Sequence, residues 1–72
     1  MIKFEEHIVN HEYMLCCEYF ADEATATRRK DRLSKAISSK VFVKSKHKLR
    51  TAEGMYDNVW FVGYIIKRRD NV

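Results

Sequence analysis

Ten lysines and arginines fall between Arg28 and Arg50, against the single acid Asp31. Their spacing divides them into two rows. Arg28, Arg32 and Lys35 recur at i, i+4 and i+7, which gathers side chains on one side of a helix. Lys40, Phe42, Lys44, Lys46, Lys48 and Arg50 recur at every second position, which lines them along one face of a strand. Mobile cations neutralise phosphates, and a flat apolar ring gives an unpaired base something to stack on. The combination points to a nucleic-acid-binding surface, for RNA or single strands by preference. A plainer use of the same residues is also open. Lysines deter an edge strand from pairing with a foreign sheet, and a charged helix face is commonly just the solvated face. Whether the two rows merge into one patch is a tertiary question.

Signatures of catalysis are missing. The chain has no phosphate loop, no Gly-flanked serine and no cluster of carboxylates, so it is expected not to be an enzyme. One catalytic alternative is a small toxin-type ribonuclease, with His47 as acid and base and Lys46, Lys48 or Arg50 stabilising phosphate charge. On the strand reading, however, His47 faces inward between Val43 and Leu49 and is more simply a core-edge histidine. His7, His11, His47, Cys16 and Cys17 lack the spacing of a zinc site, so neither a metal nor a cofactor is expected.

The two cysteines, Cys16 and Cys17, are adjacent. On a strand they point to opposite faces, where a disulfide between them is strained. Nothing resembles the spaced cysteine framework of small secreted domains. The segment Met1-Ile2-Lys3-Phe4-Glu5-Glu6 carries acids where a signal peptide needs an apolar run. No stretch approaches about 18 consecutive apolar residues. A cytoplasmic protein without a membrane segment is the expectation.

These side chains need a scaffold, and 72 residues supply one small domain, near the lower limit for a self-sufficient core. An apolar content of 46%, with 12% aromatic residues, no proline and two glycines, argues for a packed chain and against disorder. The net charge of +4 is unevenly placed. Glu5, Glu6, Glu12, Glu18, Asp22 and Glu23 all precede the basic stretch.

Residues 2–9 alternate loosely, with Ile2, Phe4 and Ile8 opposite Lys3, Glu5 and His7, as in a half-buried edge strand. Asn10-His11 is a turn. Residues 12–20 form a second strand with Tyr13, Leu15, Cys17 and Tyr19 on one face and Met14, Cys16, Glu18 and Phe20 on the other. Asp22 is a good N-cap for a helix reaching about Ser38. Ala26, Leu33, Ala36 and Ile37 form its buried stripe, and Arg29 lies beside that stripe with its guanidinium in water. Residues 40–50 are a third strand, and 52–57 a loop in which Gly54 takes positive φ. Residues 58–66 are a fourth strand, apolar on both faces and therefore central. The expected fold is α+β: a four-stranded, mostly antiparallel sheet with one helix on one face, in the order β-β-α-β-β. Residues 67–72 are read as a basic, frayed tail.

The fragments Val41-Phe42-Val43-Lys44 and Val59-Trp60-Phe61-Val62-Gly63-Tyr64 resemble the stacking strands of RNA-recognition motifs over those residues alone. The second helix and the glycine-aromatic pattern of that family are missing. Segment 13–43 is similar to the first half of peptidoglycan-binding SPOR domains, again without the helix that follows. Neither likeness assigns the chain to a family.

One helix covers one face of such a sheet. Some of Tyr13, Tyr19, Phe20, Phe42, Trp60 and Tyr64 should therefore lie on an uncovered face that binds a ligand or a second copy. Tyr13, Tyr19, Trp60 and Tyr64 are the candidates for it, and a homodimer is expected. The leading functional expectation is a non-catalytic basic protein that binds nucleic acid. The alternative is an inhibitor or adaptor that docks on an acidic protein surface, in the manner of phage-encoded regulators and anti-defence factors.

Overall fold

A computed structural model describes residues 1–68. Its elements are β1 (Lys3–Ile8), β2 (Tyr13–Phe20), α1 (Glu23–Ala36), β3 (Val41–Thr51) and β4 (Gly54–Lys67). The strands form one sheet in the order β1-β2-β4-β3, and every neighbouring pair is antiparallel. The α+β fold and its β-β-α-β-β order are those expected. The doubly apolar β4 is central, and β1 and β3 are the edges. β2 and β3 both run antiparallel to β4, so they are parallel to each other and α1 is the crossover between them.

Local chemistry sets the element ends. Asn10 Oδ1 accepts the backbone N–H groups of Glu12 (2.8 Å) and Tyr13 (3.0 Å), closing the turn between β1 and β2. Asp22 caps α1 by accepting the Thr25 N–H at 2.9 Å, one of the orphan donors of a first helical turn. Extended backbone at Ile37 ends the helix. The β3–β4 connection is shorter than the expected loop. It consists of Ala52 and Glu53, with Gly54 at φ 134, and Met55, Tyr56 and Asp57 belong to β4.

Two clusters hold the sheet, one on each side. Under α1 lie Cys16, Phe20, Ala26, Leu33, Val41, Val62 and Tyr64. On the other side lie Cys17, Tyr19, Leu49 and Val59, packed by Ile2, Leu15 and Phe61. Strand alternation places Leu49 and Ile2 on the helix side, and the structure does not. β4 bends. The bend falls at Asn58, a non-glycine residue at φ 56, opposite His47, which has no ladder partner. Beyond it the hairpin curls over the uncovered side, so that Lys3 Nζ donates to the Arg50 carbonyl at 2.9 Å although β1 and β3 are opposite edges. Leu49 thereby turns inward. His47 is exposed rather than at the core edge.

Arg29 also departs from expectation. Its guanidinium donates to Glu18 through Nε (2.7 Å) and Nη2 (3.1 Å), and the Tyr64 hydroxyl donates to the same carboxylate at 2.5 Å. Glu18 is 2% exposed. Burial alone would raise its pKa. The Arg29 pair and the tyrosine overcome that penalty and hold the carboxyl below its ordinary range, as full hydrogen bonding of a buried charge must. This triad fastens α1 to β2 and β4. At the chain end, Lys67 completes β4 and the Arg68 N–H donates to the Glu12 carbonyl. The expectation of a frayed tail over residues 67–72 therefore fails at 67 and 68, and residues 69–72 lie outside the described residues.

Candidate functional site

The side of the sheet away from α1 carries the residues best suited to contact a ligand. Phe42 lies opposite Gly63, Lys44 opposite Phe61 and Lys46 opposite Val59. Tyr19 lies opposite Phe61 on the other side of β4. The rings form a row across three strands. Phe42 meets Phe61 edge-on with centroids 6.2 Å apart, and Phe61 meets Tyr19 at 5.3 Å. Lys44 Nζ is 5.5 Å from the Phe42 centroid, and Lys46 Nζ is 5.9 Å from that of Tyr19. Such separations favour a cation over a ring face. The Phe42 ring depends on Gly63, because a Cβ there would come within 2.3 Å of its Cζ.

Exposure separates usable rings from buried ones. Phe42 and Phe61 are half-buried and present part of each ring. Tyr19 is 3% exposed, and its hydroxyl donates to Glu5 at 2.8 Å; burial and that bond push its pKa up. Tyr19 is therefore a support. Tyr13 and Ile65, 42% and 40% exposed, extend the apolar row toward the end of β4, with Lys67 opposite Tyr13. Glu5 anchors the far margin. Bonded first by Lys3 and then by Tyr19, with His7 also in contact, it is held down to about pKa 2.

The expected site residues thus separate. Phe42, Lys44 and Lys46 come together on this face, while Lys40 precedes β3 and is exposed outside the ladder. Lys48 and Arg50 do not join them, because the bend that turns Leu49 inward sends its strand neighbours the other way. Arg28, Arg32 and Lys35 are exposed on α1, on the opposite side of the sheet, so the helix and strand rows are not one patch. Trp60 and Tyr64 belong to the helix-side core. Tyr64 is 8% exposed with its hydroxyl on Glu18, so these two leave the expected uncovered face. Phe61 and Ile65 were missed as site residues. Their signal was the shared parity with Gly63, since a glycine within an apolar strand marks close approach by another group.

The remaining reactive groups are isolated. Cys16 and Cys17 are buried thiols on opposite faces of β2, their pKa values raised by burial. His47 Nδ1 lies 3.2 Å from Asn58 Oδ1. Among the described residues no group of three His, Cys, Asp or Glu is placed to hold a metal, and no helix is long and apolar enough to cross a membrane. Comparison of the chain with protein-family models, curated proteins and solved structures gives no match.

Proposed function

We propose that the protein binds single-stranded nucleic acid, RNA by preference, on the uncovered face of its sheet, and does so without catalysis. The observation that carries this reading is the ring row Phe42–Phe61 flanked by Lys44 and Lys46. Bases stack on the part of each ring that Phe42 and Phe61 leave open to solvent, and the lysines follow the phosphates. Edge protection explains lysines on β3 but not the aromatic row beside them. The test is binding of fluorescent oligo-uridine and oligo-deoxythymidine at rising salt. Affinity that falls steeply with salt supports the proposal. Absence of any shift at low salt overturns it, and favours capture of an acidic protein partner instead.

Self-association is proposed on the other side. α1 leaves part of its own sheet face bare, a groove lined by Phe4, Ile8, Met14 and Ile66 with Glu6 and Arg68 also in its wall, and with Phe4 46% and Ile8 68% exposed. A second copy fits there better than at the sheet edges. Two-fold pairing of β1 sets Glu5 and Glu6 near their own copies, and two-fold pairing of β3 does the same with Lys44 and Lys46. A monomer mass in solution at micromolar concentration would contradict the dimer.

A further inference from the structure

The row on α1 remains unused by the uncovered-face site. Arg28, Arg32 and Lys35 are exposed on the flank of the helix away from Ala26 and Leu33, which face the sheet. None of the three forms an ion pair among the described residues; Arg28 has a single 3.5 Å contact from Nη2 to Thr25 Oγ1. Their neighbour Arg29 is neutralised by Glu18. Two arginines one turn apart repel each other and gain from a shared anion. Between them and β2 lies a notch of about 220 Å³, lined by Phe20, Thr25, Arg28, Arg29 and Arg32. Arg28 and Arg32 thus bring two guanidiniums, each capable of bidentate donation to a phosphate, to a notch with Phe20 in its wall.

Separation decides what this second surface can do. α1 and Lys44/Lys46 stand on opposite sides of a molecule 15 Å across its shortest axis. Lysine and arginine side chains reach outward from both sides, so the two charge sets lie on the order of 20 Å apart, about twice the screening length at physiological salt. A strand held on one face therefore neutralises little of the other. A single short strand cannot satisfy both, because it would have to wrap around an edge of the sheet.

We propose that the arginine flank of α1 is a second phosphate-backbone site, so that one molecule bridges two nucleic-acid strands. This rests on the proposed single-strand binding by the uncovered face. Bridging raises the local concentration of one strand near another. The protein then acts as a strand-joining factor as well as a binder.

A sandwich assay tests it. A short oligo-uridine is immobilised, protein is added and washed, and a labelled second oligo-uridine is offered. The native chain is expected to capture the second strand. The variant Arg28→Ala/Arg32→Ala/Lys35→Ala is expected to hold the first strand within about twofold of native affinity, which also reports that it is folded. It should lose second-strand capture at least tenfold. Undiminished capture by that variant overturns the proposal, since two uncovered faces of a dimer would then be the bridge. First-strand binding by the native chain with no capture overturns it too, leaving single-strand binding intact. No first-strand binding at all overturns the single-strand reading and the bridge with it.

Discussion

The ring of Phe42 occupies the space a side chain at position 63 would need, with its Cζ 2.3 Å from where a Cβ of residue 63 would stand. Gly63 lies opposite Phe42 across the β3–β4 ladder. A small residue on the central strand thus fixes a ring on the edge strand, in contact with Phe61.

Gly63→Ala therefore displaces the ring without removing a charge or an aromatic residue. Affinity for oligo-uridine is expected to fall about five- to tenfold, the scale of one weakened base stack. Stability should drop by no more than about 2 kcal/mol, because the ring can rotate outward. Fluorescence anisotropy and urea unfolding on the same preparation check both. Unchanged affinity would remove Phe42 from the site.

Lys44→Ala/Lys46→Ala should act through electrostatics. Each lost phosphate contact reduces the slope of log K against log salt by about 0.7 for a single strand, so the pair should flatten it by about 1.4. Lys48→Ala/Arg50→Ala, on residues turned away from the ring row, should change the slope much less. Equal effects from the two pairs would show that the bend at Asn58 does not partition the basic strand.

Arg29→Ala leaves the Glu18 carboxylate buried without its cation. The expected loss is about 3 kcal/mol, measured as a lower urea midpoint. Adding Glu18→Gln should recover part of it, since the desolvated charge is then gone. A loss from Arg29→Ala below about 1 kcal/mol would mean that the triad does not fasten the helix.

Glu5 gives a pH signature. Its folded pKa of about 2 lies below the ordinary 4.5, so its stabilisation is complete above about pH 4.5 and is lost as pH falls toward 2. With solvent screening at this half-buried site, about 1 kcal/mol is at stake. Glu5→Gln should lower stability at pH 7 and match the native chain near pH 2. A constant difference across that range would contradict the assignment.

Period and punctuation in the sequence were enough for the element order, the Asp22 cap, the position of β4 and the positive φ of Gly54. Each depends on residues close in the chain. Alternation also placed Phe42, Lys44 and Lys46 together, because that stretch of β3 is regular. It failed beyond His47, where a bend at Asn58 on the neighbouring strand reverses the facing of Leu49. The helical period likewise left the Arg29 guanidinium in water, because its partners Glu18 and Tyr64 come from two different strands.

The sequence by itself determined that positive charge concentrates between Arg28 and Arg50 and that it lies on two faces with helical and strand periods. Only the tertiary structure decided that these faces point to opposite sides of the sheet. It alone set Phe61 beside Phe42 and took Trp60 and Tyr64 under the helix. The physical reason is that side-chain period fixes direction relative to one element's own axis. Which side is covered, and which charges find a partner, follow from how the sheet curls and where the crossover helix lies.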